Sequence, residues 1–157
     1  MKGLVARLLG RAEPTLAEAS ARDAAAIATV HAASFQRGWG EDEFRRLLIE
    51  RNIVCHRAQI GRTLVGFILS RVVAGEAEIL SVAIAPGWRG RGFSRPLLDL
   101  HLRRLAGLGT RTVFLEVDEK NAPAQRLYRK AGFYDVARRQ GYYGSGASAL
   151  VLRRDLG

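Results

Sequence analysis

The sequence predicts a single-domain α/β protein, one mixed sheet with helices on both faces, and three observations predict it. At 157 residues the chain is long enough for one real hydrophobic core and too short for two. Extended runs alternate with helical stripes through its middle. Hairpin-like pairs of extended runs dominate its ends. Residues 14–157 contain no repeat or low-complexity linker and form one unit, whereas residues 1–13 read as a flexible N-terminal arm.

Each element has its own signal. "TLAEAS" reads as a short first strand, and "ARDAAAIATVHAASF" then sets Ala24, Ile27, Val30, His31 and Ser34 near one helical stripe, with Asp23 suited to the first turn. In "EDEFRRLLIER", Phe44, Leu47 and Leu48 share a face, while Glu41, Asp42 and Glu43 crowd the helix start. Acids there complement the helix dipole, and they are also where a cationic substrate would be felt. "NIVCHRAQ" and "TLVGFILSRVV" form a hairpin around "IGR". "GEAEILSVAIAP" is a third extended run, nearly all apolar at its end, as in a strand buried on both faces. "WRGRGFSRPLL" supplies a turn and then a helix, because Pro96 is tolerated in a first turn and Leu98, Leu102 and Leu105 form a stripe ending at Gly107 and Gly109. "RTVFLEV" is a strand, the next helix runs from near Asn121 to Gly132, and the tail reads as two strands around a glycine-serine loop.

Composition excludes several classes. The net charge is +10, carried almost wholly by arginine, since Lys2, Lys120 and Lys130 are the only lysines. Such a surface attracts polyanions: nucleic acid, ribosomes or a multiply phosphorylated cofactor; its scattered arginines also fit a general preference for arginine over lysine. The single cysteine, Cys55, forbids an internal disulfide and reads as inert filler of a strand. His31, His56 and His101 lack paired-ligand spacing and read as surface or packing residues, so no metal is expected. Arg7 interrupts the opening apolar run short of the roughly 7–15 residues of a signal core, and nothing approaches the ~20 apolar residues of a membrane span. A cytoplasmic protein without membrane contact is expected.

The turn "AIAPGWRGRGFS" joins a strand to a helix. Its glycines let backbone N–H groups point to a common centre, the helix start adds partial positive charge, and Arg89 and Arg91 add full charges. That is an anion cradle, though neither a Walker loop nor a dinucleotide fingerprint. In "LEVDEKNAPAQRLYRKAGF", Val113, Leu115 and Val117 point one way and Phe114 and Glu116 the other. A carboxylate in mid-strand needs water or a partner, and an edge-strand salt bridge would serve as well as chemistry. Glu78 is equally ambiguous. Asn121 suits a helix cap with Pro123 behind it, and Tyr128, at the edge of the stripe Ala124, Leu127 and Ala131, suits a core position with a wet hydroxyl.

Taken in order, "RGRGFS" after "SVAIAP", then "LEV", Asn121 and "LYRKAGF", resemble the GCN5-related N-acetyltransferase (GNAT) superfamily over about residues 14–153. The ending "RRQGYY" resembles its RimI branch, the ribosomal-protein-alanine acetyltransferases. The resemblance implies a mostly antiparallel mixed sheet and acetyl-coenzyme A as cosubstrate. It implies a pyrophosphate seat at Arg89, Gly90, Arg91, Gly92, Phe93 and Ser94, pantetheine pairing along Val82, Ala83 and Ile84, and a further contact at Asn121. It places the base at Glu116 or Glu78 and the proton donor to the leaving thiolate at Tyr128. The acceptor it implies is a protein N-terminus, such as a ribosomal protein's, rather than nucleic acid; a small-molecule amine, or a non-catalytic coenzyme A-binding or ribosome-associated module, are the alternatives. Ser94 stands where the family has Gly or Ala, Ser148 replaces an acid common before the last strand, and the loop "YYGSGAS" is short.

Overall fold

Alternating extended runs zip into one sheet of seven strands among the residues described, 13–36, 38–141 and 146–157 of a computed structural model. The strands are β1 (Thr15–Glu18), β2 (Ile53–Ile60), β3 (Thr63–Val73), β4 (Glu76–Ile84), β5 (Thr112–Asp118), β6 (Tyr134–Arg139) and β7 (Ala149–Asp155), in the spatial order β1-β2-β3-β4-β5-β7-β6. Every neighbouring pair is antiparallel except β4 and β5, which the crossover through a helix makes parallel. The arm expected over residues 1–13 lies, but for Glu13, outside the described residues, as do positions 142–145 of the glycine-serine loop.

Four helices cover the sheet among the described residues: α1 (Ala24–Ser34), α2 (Glu41–Leu48), α3 (Ser94–Gly107) and α4 (Ala122–Lys130). Asp23 opens α1 by accepting from the Ser20 N–H at 2.9 Å, and its other oxygen meets Arg57 of β2. Glu41 and Asp42 in the first turn of α2 pair with Arg45 one turn on. On one face, α3 buries Leu97, Leu98, Leu102 and Leu105 against Val65, Ile68, Val113 and Leu115. Burying each such leucine contributes on the order of 1.5–3 kcal/mol. On the other face, Ala24, Ile27 and Val30 of α1 and Phe44 of α2 pack on Cys55, Phe67, Leu69 and Ala83. Cys55 is sealed there, and burial pushes its thiol well above the ordinary range, as suits inert filler.

One expectation is sharpened and one needs correction. The histidines are packing residues and none is a surface group: all three are buried, and two of them meet 45 residues apart, a contact that the sequence did not show. His56 Nδ1 lies 2.7 Å from His101 Nδ1, and His101 Nε2 lies 2.6 Å from the Ser70 hydroxyl, so one shared proton joins two neutral rings under α3. A second proton would bring two donors nose to nose. Tyr128 is not at the edge of its stripe but is the buried residue of α4, because the helix packs along Ala124, Tyr128 and Ala131 with Leu127 to the side.

The histidine pair makes stability acid-sensitive. Burial, then the neighbouring His56, pushes His101 down to about 3, and burial also lowers His56, against Glu18 and with Arg104. The unfolded chain takes protons near pH 6.5 that the folded one refuses. Stability is therefore full above that pH and falls as pH drops toward 3, by ~1.4 kcal/mol per unit for His101. Urea unfolding at pH 7 and pH 4.5 checks this: His101→Gln is expected to reduce the wild-type drop by about 2 kcal/mol.

Candidate active site

The sheet splays at one point. β4 pairs with β5 only where Glu76–Ile79 face Thr112–Leu115. On its other side Ser81 faces Leu69 and Ile79 faces Ser70, so Leu80 is the extra residue of a bulge. Beyond Ile79, β4 follows β3 while β5 follows β7 as far as the pair Asp118–Ala149. The facing edges, Leu80–Ile84 and Glu116–Asp118, have no strand between them among the described residues. Backbone groups on such edges need partners, and an extended arm carrying amides can supply them as an added strand. Val82, Ala83 and Ile84 lie along that edge.

At the end of β4 the chain makes a short turn, Pro86–Trp88, and reaches the glycines. Gly90 and Gly92 have φ of +76° and +79°, a conformation that a side chain would strain, and a Cβ at either would meet nothing within 4 Å. The backbone N–H groups of Gly90, Arg91, Gly92, Phe93 and Ser94 have no partner among the described residues. They stand beside the N-terminus of α3, where Ser94 is the first helical residue. This donor set fits a pyrophosphate.

The side chains of the turn divide the work. Arg89 donates from Nε to the Ile84 carbonyl and from Nη2 to the Ser34 hydroxyl, both at 2.9 Å, so it fastens the turn to β4 and to the end of α1. Arg91 lies over the Trp88 ring, 4.7 Å from its centroid, and remains exposed. Phe93 is buried beside Trp88 and offers only its backbone. Asn121 caps α4, its Oδ1 accepting from the Ala124 N–H at 3.2 Å.

The two carboxylates part company. Glu78 is exposed and sits opposite Phe114, inside the paired stretch of β4 and β5. Glu116 is the first residue of β5 beyond that stretch, at the edge of the opening, with its side chain 19% exposed. Its partner is Arg139 at the end of β6, with Nη1 2.9 Å from Oε1. The salt bridge expected as an alternative thus exists, but on a strand flanked by β4 and β7 and not on an edge. Tyr128 approaches from the opposite face, packed edge-on to Phe133. Burial pushes its phenol up to about 12, and its hydroxyl has no hydrogen-bond partner among the described residues.

On the Glu116 face a cavity of about 460 Å³ is lined by Trp39, Glu43, Leu47 and Glu50, with Leu80 from the bulge and the two arginines Arg46 and Arg71. Of the three acids at the start of α2, only Glu43 lines it. Its Trp39 wall is set by His31, whose Nδ1 accepts from the Trp39 N–H at 3.1 Å while the two rings stack. Burial lowers the pKa of His31 against the pull of Glu43, which keeps the acceptor nitrogen free of a proton. Sequence reasoning missed Arg139, Ser34 and this wall. Only "RRQGYY" flagged the neighbourhood of Arg139, and nothing in it gave the register that brings this residue to Glu116.

An open sheet with unpaired backbone donors at one end, and a carboxylate and a phenol on opposite faces, fits a transferase that works on a phosphate-bearing acyl carrier. The chain belongs to the acetyltransferase (GNAT) family, whose profile matches residues 3–133. It is an acetyl-coenzyme A-dependent N-acetyltransferase. It is 39% identical over 117 residues to the [ribosomal protein bS18]-alanine N-acetyltransferase of Haemophilus influenzae, covering 72% of this chain and 73% of that one. It is 37% identical over 124 residues to the N-alpha-acetyltransferase RimI of Mycobacterium tuberculosis, covering 76% and 77%. The fold matches the crystal structure of the ribosomal-protein-S18-alanine N-acetyltransferase from Escherichia coli with a TM-score of 0.85 at 24% identity, over 92% and 94% of the two chains. Among the described residues no helix is long and apolar enough to cross a membrane.

Proposed function

We propose that this enzyme acetylates the N-terminal α-amino group of a protein, a ribosomal protein in particular, in the cytoplasm. The observation that carries the reading is the position of Glu116: the first residue of β5 that β4 no longer pairs, on the face of the cavity, in a chain similar to ribosomal-protein-alanine acetyltransferases along most of both lengths. Acetyl-coenzyme A supplies the thioester. Its pyrophosphate takes the N–H groups of Gly90–Ser94 with Arg91 alongside, and its amide-bearing arm takes the β4 edge at Val82–Ile84.

The acceptor enters the cavity as a cation beside Glu43. With a pKa of about 8, an α-amino group is roughly a tenth neutral at pH 7, whereas a lysine near 10.4 is far less so, which favours α-amines. Glu116 takes the ammonium proton directly or through water, and the freed nitrogen attacks the thioester carbon. Backbone N–H groups of Val82–Ile84 steady the oxyanion. As the carbon–sulfur bond breaks, the Tyr128 hydroxyl donates to the sulfur, the nitrogen sheds its second proton to water, and the thiolate leaves to be protonated to the thiol. A phenol held near 12 stays protonated beside a thiolate whose conjugate acid is near 8.5, so its contribution is a strong hydrogen bond ahead of full proton transfer. Glu78, exposed and within the paired stretch, has no comparable place.

The acceptor is tested by offering the enzyme a library of ribosomal-protein N-terminal peptides and a panel of small amines, read by mass spectrometry. Acetyl groups are expected on peptide α-nitrogens. Exclusive labelling of small amines, or of lysine side chains, would overturn the reading.

A further inference from the structure

Three arginines, Arg89, Arg91 and Arg95, accompany the free backbone donors of the glycine turn, and they are held in different ways. Arg89 is fastened to the Ile84 carbonyl and the Ser34 hydroxyl, and Arg95 donates from Nε to Asp99 one turn on at 3.0 Å. Arg91 pairs with no carboxylate among the described residues; its hydrogen bond runs from Nη2 to the Gly87 carbonyl at a long 3.4 Å. What holds it is a ring. Its Cζ lies 4.7 Å from the centroid of Trp88, and that indole is half-buried against the core that α3 closes. Trp88 also stacks on Phe93, with centroids 6.2 Å and planes 25° apart. The two aromatics flank Gly90 and Gly92 in the chain, and so brace a stretch whose glycines bring no side chains of their own.

We propose that Trp88 is a positioning residue for the diphosphate: its ring holds the Arg91 guanidinium beside the free N–H groups without neutralising it. The inference rests on the reading of Gly90–Ser94 as the pyrophosphate seat. A carboxylate would fix an arginine by cancelling its charge and occupying its donors. An aromatic face attracts the cation but accepts no ordinary hydrogen bond, so the N–H donors stay available to a ligand. A guanidinium held in this way also gives up part of its rotamer freedom before the ligand arrives, which lowers the entropy lost on binding. Trp88, anchored in the core on one side and carrying Arg91 on the other, thus ties the charge of the seat to the body of the fold.

The test compares two ligands on the full chain: coenzyme A, titrated by calorimetry, and pantetheine, which has the amide arm but no phosphate, titrated by amide chemical shifts. Trp88→Leu is expected to raise the Kd of coenzyme A about fivefold, the scale of one exposed cation–π contact, and to leave that of pantetheine where it was. Trp88→Tyr restores an aromatic face and is expected to stay within about twofold of the wild type. In an Arg91→Ala background, Trp88→Leu should weaken coenzyme A no further. Equal weakening of both ligands, no weakening of coenzyme A, a Trp88→Tyr as poor as Trp88→Leu, or full additivity with Arg91→Ala overturns the role of Trp88. Failure of the seat itself looks different: coenzyme A would then bind the wild type no more tightly than pantetheine does, and the role of Trp88 would fall with it.

Discussion

Glu116→Gln is expected to lower kcat at pH 7 by about 100- to 1,000-fold, the range that a positioned base contributes. The amide keeps the shape of the side chain and loses the basic oxygen, so the peptide still docks but must shed its proton to bulk water. Two signatures separate this from a folding defect. Acetyl-coenzyme A should raise the melting temperature of the variant as much as that of the wild type, since the seat proposed for it is on the β4 edge and the glycine turn. The variant should also recover rate as pH rises toward 8, because below its pKa of about 8 each pH unit gives an α-amine roughly tenfold more neutral form. A variant with wild-type kcat at pH 7 would remove Glu116 from the chemistry and return attention to Glu78.

Tyr128→Phe carries the second large effect. The hydroxyl makes no hydrogen bond to the protein among the described residues, while its ring is packed against Phe133 in the core. The hydroxyl is not among the buried atoms left without a partner, and deleting it leaves the ring contacts intact, so the melting temperature should hold. Transfer should nevertheless slow by about 10- to 100-fold, because a hydrogen bond to a charged sulfur is worth about 1.5–3 kcal/mol in the transition state. A rate that falls while stability holds is what a purely structural tyrosine does not produce. Unchanged turnover would show that the leaving thiolate finds its proton elsewhere.

Local signals made most of the fold legible. The alternation through residues 112–118 gave both the strand and its two faces, and burial follows it residue by residue. Pro96 and Asn121 marked helix starts that the chain uses. What escaped was set by register between distant segments. The bulge at Leu80 opens the sheet, yet "EILSVAI" reads as one continuous strand, nearly all apolar at its end, with no glycine or proline to betray it. His56 and His101 meet only because β2 and α3 are stacked, and spacing along the chain carries no trace of that contact. The facing of Tyr128 was lost for a different reason: on a short, highly charged helix, Ala124, Leu127 and Ala131 define a stripe as well as Ala124, Tyr128 and Ala131 do, and only the packed partner chooses between them. The glycine turn was read as an anion seat from composition, but its arginines were not distinguished. Both are exposed, but Arg89 is a fastener held by Ile84 and Ser34, whereas Arg91 lies over the Trp88 ring.

The wedge between β4 and β5 underlies every role assigned above, and a crystal structure with bound acetyl-coenzyme A examines it directly. The pyrophosphate oxygens should lie about 3 Å from backbone nitrogens of Gly90–Ser94, the arm should pair with Val82–Ile84, and the sulfur should come within hydrogen-bonding reach of the Tyr128 hydroxyl. A thioester bound outside the wedge, or one whose reactive carbon faces neither Glu116 nor Tyr128, would contradict it.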